Sequence, residues 1–157
     1  MNYHFNYKNK PLDFWQLSMY FTYGSIVGVC NAIFTVAMIL LTIKMWVDAT
    51  SFVRMLLLFA IILFPIIQPI GIYTRAQRQA ATASDIDITF DDTGVHVQSG
   101  ETNSDIEWKN IKRVSKKPNM IVVFSTTTHG FILTNKVIGK NNKEFYNYIS
   151  SKMEQKN

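Results

Sequence analysis

Two long uncharged stretches dominate the pattern of apolar and polar positions. No charged residue stands between Asp13 and Lys44, and none between Arg54 and Arg75. The hydrocarbon core of a bilayer, about 30 Å thick, needs about 20 residues of helix at 1.5 Å rise per residue. The apolar cores IVGVCNAIFTVAMILLTI, from Ile26, and MLLLFAIILFPIIQPIGI, from Met55, meet that requirement with their flanks. Burial of both runs as core helices is the competing reading, but a chain of 157 residues has too little else to cover them. The pattern therefore predicts transmembrane helices over 25–46 and 53–75, joined through KMWVDATSFVR as a tight turn between antiparallel helices. Lys44, Met45 and Trp46 follow the first run where a cleavable leader would carry small residues, so the run reads as a retained anchor.

The rest of the chain switches to a period of two. Tyr3, Phe5 and Tyr7 alternate with polar residues, which predicts a half-buried strand over 1–10 that must pair with something further on. Pro11 suits a first helical turn, and Leu12, Trp15 and Met19 share a face, with Tyr20 and Tyr23 near its end. Residues 11–24 thus read as an interfacial helix leading into the first span. After Arg78, QAATASD reads as a polar linker. Ile86, Ile88 and Phe90 then share one strand face, Asp91 to Gly94 make a turn, and Val95 and Val97 resume the alternation. After a turn at Ser99–Thr102 a third strand runs to about Trp108, Ile111 and Val114 follow at a fresh periodicity, and beyond a turn at Pro118–Asn119 the segments Met120–Phe124 and Gly130–Leu133 flank the TTTHG turn. Asn141 and Glu144 have capping-box spacing, and Phe145, Tyr148, Ile149 and Met153 line one face of a last helix. About seven strands and one closing helix are available, a set that suits a small, strongly bent antiparallel barrel plugged by its C-terminal helix over 84–157.

Within the second span Pro65 and Pro69 occupy one helix face beside Gln68, which predicts a kink or local unwinding. Broken helices of this kind bind ions or substrates in transporters. Here neither span carries an acidic side chain, so a bent helix packed on its partner is the better reading. Gly24 and Gly28 form a small-xxx-small pair suited to close helix approach.

Charge changes the picture in one respect. The net charge is +5, yet residues 79–157 carry ten basic and nine acidic side chains, so the excess lies at the helix flanks. Topogenic charge accounts for the basic balance, and nucleic acid is excluded as a partner. Lys8, Lys10, Arg75 and Arg78 flank the hairpin, against Lys44 and Arg54 in its turn, which places both termini in the cytoplasm of a plasma membrane protein. The single cysteine, Cys30, permits no internal disulfide, and His4, His96 and His129 lack ligand spacing, so no metal or other cofactor is expected.

The string ITFDDTGVHVQSGETNSDIEWKNIKRV, from Ile88, resembles the C-terminal domain of the YcxB-like family of bacterial membrane proteins. The resemblance lies in the strand ending at Phe90, the turn before Gly94 and Val95, and the spacing of Ile106, Trp108, Ile111 and Val114. It continues more faintly through IVVFSTTTHGFILTNKVIG and extends to the preceding two-helix layout. Where the family carries a basic segment with proline after the last strand, this chain has Thr134, Asn135 and Lys136. The resemblance implies an α+β membrane protein: a two-helix transmembrane hairpin inserted after an N-terminal strand, then a pleckstrin-homology-like antiparallel β-barrel with a C-terminal helix. It implies a Gram-positive type of cell and no established activity.

Candidate chemistry is sparse. Asp85, Asp87, Asp91, Asp92, Glu101, Asp105 and Glu107 cluster early in the β region, but they fall at turns and on polar strand faces, where solvated turn chemistry explains them. No phosphate loop, nucleophile elbow or metalloprotease helix is present, so no enzyme is expected. Lys109, Lys112, Arg113, Lys116 and Lys117 fall within nine residues. Beside a cytoplasmic leaflet each basic side chain is drawn to anionic lipid by about 1 kcal/mol. The expected function is a non-enzymatic module at the bilayer that binds anionic headgroups or an envelope protein. The alternative is self-immunity of a Gram-positive producer against a membrane-active bacteriocin or secreted toxin. A transporter or channel subunit fits least, because Asn31 and Gln68 are nearly the only polar groups in the spans. Helix hairpins also associate with copies of themselves, although nothing in the sequence fixes a number.

Overall fold

The computed structural model describes residues 2–127 and 129–155. In chain order, strand β1 (Tyr3–Tyr7) precedes helices α1 (Pro11–Tyr23), α2 (Ile26–Met45), α3 (Ser51–Ile62) and α4 (Gln68–Ala81). Strands β2 (Ile86–Phe90), β3 (Gly94–Ser99), β4 (Thr102–Glu107), β5 (Arg113–Lys117), β6 (Met120–Phe124) and β7 (Gly130–Thr134) follow. Short α5 (Asn135–Ile138) and terminal α6 (Asn142–Glu154) complete the chain. Two compact units result, one from Met1–Asn9 with Thr82–Asn157 and one from Lys10–Ala81.

The helical unit forms where the apolar runs predict it. Pro11 opens α1, and the Asp13 carboxylate accepts the Lys10 backbone N–H at 2.8 Å, satisfying a donor at the helix start. Ser25 adopts an extended backbone and donates its hydroxyl to Thr22, so α1 and α2 are separate helices. Gly28 is buried at this corner, where an added Cβ would lie 2.5 Å from the Tyr23 carbonyl oxygen. The small residue therefore lets the end of α1 approach α2 closely, the kind of close helix approach for which the pair is suited. Across the turn, Arg54 donates to the Trp46 and Val47 carbonyls, at 3.0 and 3.3 Å, and stacks on the Trp46 ring. The turn thereby satisfies carbonyls at the end of α2 with a cation.

The second long helix runs from Ser51 to Ala81, past the expected end at residue 75, because Ala76 to Ala81 contain good helix formers and no breaker. QAATASD is thus helical in its first half. Helices α2 and Ser51–Ala81 are long and apolar enough to cross a membrane. Every large apolar side chain that is exposed among the described residues lies between Leu12 and Tyr73.

The other unit is an α+β arrangement of two open antiparallel sheets. One has the order β1-β2-β3-β4 and the other β5-β6-β7. The N-terminal strand finds its partner across the helical insertion, with Tyr3 opposite Phe90 and Tyr7 opposite Ile86. The expected closed barrel does not form. A 3-10 turn at Trp108–Asn110 separates β4 from β5, and α5 packs beside both β1 and β7. The break is held by Trp108, buried with its indole N–H donated to the Asp91 carbonyl at 2.8 Å.

The core follows the alternation. Ile88, Phe90, Val95 and Val97 meet Ile121, Val123 and Leu133, while Phe145 and Ile149 of α6 close the cluster. Phe145 sits among Tyr3, Phe5 and Phe90 at ring-centroid distances of 5.2, 5.2 and 5.0 Å, in edge-on geometry. Tyr148 and Met153 complete the expected face of α6 as half-buried neighbours. The expected capping box at Asn141 and Glu144 is absent. Asn141 belongs to a 3-10 turn, Gly139–Asn141, with φ −86° and ψ 16°, whereas a capping side chain needs an extended backbone.

Candidate functional site

The basic segment does not form one patch. Alternation along β5 sends Arg113 and Lys117 to one face and Val114 and Lys116 to the other. Lys109 precedes the strand and pairs with the Glu107 carboxylate. Lys112 is exposed in the link, its backbone N–H donated to the Phe124 carbonyl at 2.8 Å. The Arg113 guanidinium lies 4.3 Å from the centroid of Phe124, its cross-strand partner. Lys116 sets its ammonium 4.7 Å over the Tyr146 ring of α6.

Lys109 lines a cavity of about 300 Å³ beside Asp92, Trp108 and Lys152, whereas Lys116 and Lys117 line another, of about 530 Å³, where the β5–β6 turn meets the α5–α6 bend. The bend contributes Lys140 and Lys143, which sequence reading passed over, with Glu144 as the one carboxylate in the lining. Asn135 fixes the two segments together: its side-chain amide donates to the Pro118 carbonyl and its backbone N–H to that of Asn119, each at 2.9 Å. Asn142 in turn donates to the Asn135 side-chain oxygen. Gly139 makes the bend possible, with φ +71° and ψ −146°, a conformation open to glycine almost alone. The available signal was the string GKNNKE, a glycine followed within four residues by two lysines.

The acidic cluster resolves into turn and sheet-face chemistry. The Asp91 carboxylate accepts the backbone N–H groups of Thr93 and Gly94 at 2.8 and 3.0 Å and the Thr93 hydroxyl at 2.6 Å. Those hydrogen bonds, the Thr93 hydroxyl first, hold it down at about 2. Asp92 ties the same turn to α6 through Lys152 at 2.8 Å and Tyr148 at 3.4 Å. On the outer face of the four-stranded sheet His96 lies between Asp105, 2.6 Å from Nδ1, and Asp91, 3.1 Å from Nε2. Its hydrogen bond with Asp105 is the main cause raising its pKa above 6.5. Among the described residues no three His, Cys, Asp or Glu side chains converge as a metal set.

The predicted irregularity at Pro65, Gln68 and Pro69 takes the form of a π-helical turn over Leu63–Ile67. Pro65 can give no N–H to the Ile61 carbonyl, and the register slips so that the Gln68 N–H bonds to Leu63. The Phe64 carbonyl then has no helical donor, because residue 69 is also proline. The Tyr23 hydroxyl donates to it, the Trp15 indole donates to the Pro69 carbonyl at 3.1 Å, and Asn31 donates to the Gln68 side chain at 2.9 Å. Three polar groups at the break, the Phe64 and Pro69 carbonyls and the Gln68 side chain, thus have a partner from α1 or α2, and the arrangement is a lock between helices.

These features define a class of protein: an α+β chain in which a helical hairpin apolar enough to cross a membrane interrupts a small β unit after its first strand. Its β unit carries a lysine-lined cavity. Residues 90–149, the larger part of the β unit, match the model of the YcxB-like protein family. No curated protein and no solved structure matches the chain.

Proposed function

We propose that the protein is a non-enzymatic, membrane-anchored binding module. In this reading the hairpin spans the plasma membrane and the β unit, a pleckstrin-homology-like domain, engages anionic headgroups or an acidic protein at the inner leaflet. The observation that carries it is topological. The chain leaves the sheet after Tyr7 and re-enters at Ile86, residues directly opposite one another in the β1–β2 ladder. Two spans between such points return the chain to the side it left, so both termini share one face of the bilayer. Lys8, Lys10, Arg75 and Arg78 support a cytoplasmic assignment of that face. Exposed Ile26, Ile43 and Phe52, at 79%, 71% and 65%, support a lipid environment for the hairpin, since surface of this kind is not tolerated in water. The split into a four-stranded and a three-stranded antiparallel sheet, closed by a C-terminal helix, supports the domain assignment.

The test is cysteine topology mapping in a Cys30→Ser background. Asp48→Cys in the turn should react with a membrane-impermeant maleimide on intact bacterial cells. Gln155→Cys should react only after permeabilisation. Labelling of Gln155→Cys on intact cells, or release of the protein by alkaline carbonate, would overturn the proposal.

A further inference from the structure

We propose that the cavity between the β5–β6 turn and the α5–α6 bend binds the phosphate group of an anionic ligand. The proposal rests on the anionic-partner reading above and narrows it to one chemistry at one place. Two segments more than twenty residues apart bring Lys116, Lys117, Lys140 and Lys143 around a single space, against the lone carboxylate of Glu144. Two other lysines of the same unit are paired within the fold, Lys109 with Glu107 and Lys152 with Asp92. Lys140 and Lys143 have no carboxylate within ion-pair distance among the described residues. Holding these two lysines beside Lys116 and Lys117 costs Coulomb energy that an entering anion recovers.

The surroundings favour phosphate over a carboxylate. Every cation lining the cavity is a lysine, a compact point charge, and four of them from two segments can approach a tetrahedral oxyanion from several sides, more than a planar carboxylate presents. The walls are pre-set by the Asn135 bonds to Pro118 and Asn119 and the Asn142 bond to Asn135. The Gly139 corner leaves space, since nothing lies within 4 Å of where its Cβ would stand. A volume of about 530 Å³ accepts a phosphate with part of a headgroup.

Lysine footprinting of the full-length protein in nanodiscs tests this, with amine acetylation rates read by peptide mass spectrometry at matched ionic strength. One arm compares phosphatidylcholine discs with discs containing phosphatidylglycerol, and the other adds inorganic pyrophosphate to phosphatidylcholine discs. Modification of Lys116, Lys140 and Lys143 should fall at least fivefold in one or both arms. Lys140→Gln with Lys143→Gln should weaken the effect at Lys116 about 25-fold in ligand concentration, about fivefold per lysine. Protection in the lipid arm alone identifies a headgroup as the source, and in the pyrophosphate arm alone a soluble phosphate. Protection confined to Lys109 and Lys112 overturns the cavity while leaving the anionic-surface reading intact. No protection at any lysine overturns both.

Discussion

The helical break makes a prediction that can be worked through atom by atom. Tyr23→Phe removes the hydroxyl that donates to the Phe64 carbonyl. That carbonyl has no alternative in its own helix, because the Gln68 N–H is used by Leu63 and position 69 has none. Leaving a buried acceptor unpaired costs about 1–3 kcal/mol in proteins generally, and interhelical bonds in membranes average about 0.6 kcal/mol with a ceiling near 1.7. The expected loss is therefore about 1 kcal/mol, or about fivefold in the folded-to-unfolded ratio. In a Pro69→Ala background the logic changes. Alanine restores an N–H at residue 69, and whichever register the helix adopts, α or π, the Phe64 carbonyl gains a helical donor. The cost of Tyr23→Phe should then fall below about 0.5 kcal/mol, a coupling that a double-mutant cycle isolates. The assay is unfolding of the full-length protein in mixed micelles titrated with dodecyl sulfate, followed by the far-ultraviolet helix signal. The Trp15 indole on the Pro69 carbonyl provides a local fluorescence reporter. An equal loss in both backgrounds, or none in the native one, would refute the claim that the prolines create the need for Tyr23.

Three further outcomes follow from the β unit and the corner at Gly28. The folded pKa of His96 is raised, so the stability it contributes is complete below 6.5 and disappears as pH rises through the folded value. The thermal midpoint of the native chain should therefore exceed that of His96→Asn at pH 6, with the gap narrowing by pH 8, and a constant gap would reject the Asp91–His96–Asp105 contacts as its source. The Tyr7 hydroxyl is buried without a hydrogen-bond partner among the described residues, so Tyr7→Phe should raise denaturant stability by about 1 kcal/mol, and a loss would mean that the hydroxyl is satisfied after all. Gly28→Leu drives a side chain into the Tyr23 backbone and should separate α1 from α2, read as faster proteolysis near Ser25, whereas Gly71→Leu, with nothing within 4 Å, should not.

Much of the fold was legible because its signals are local. The two uncharged runs, the alternation in β2 and β3, the Asp91–Gly94 turn and the apolar face of α6 each lie within a few residues and form as the pattern implies. Closure of a barrel is a different kind of property, decided by whether β4 meets β5 and β1 meets β7. Trp108 looks like a strand residue by alternation, yet its indole finds the Asp91 carbonyl, 17 positions earlier in sequence, and turns the chain out of the sheet. The missing cap on α6 has a similar cause. Asn141 and Glu144 have the right spacing, but the positive φ of Gly139 sets a tight 3-10 turn that fixes the Asn141 backbone outside the capping conformation.

The site was harder to read for a reason that lies in strand geometry. A run of cations on a helix or in a loop can share a face, but on a strand the pleat distributes neighbours to opposite sides. The segment from Lys109 to Lys117 therefore has high charge density along the sequence and little convergence in space. Arg113 spends its charge on the Phe124 ring and Lys109 on Glu107. What gathers charge is the meeting of two bends, at Pro118–Asn119 and at Gly139, each of which turns its lysines toward the other. Neither bend gathers the charge alone, and the hydrogen bonds that join them run from Asn135 and Asn142, the first residues of α5 and α6, which the sequence reading did not connect. A substitution at Asn135 should consequently disperse the lysines without removing a single charge. Asn135→Ala is expected to lower anion protection at Lys140 and Lys143 while leaving the net charge of the unit unchanged. Such a result separates convergence from charge as the origin of binding, and unchanged protection would assign it to charge density alone.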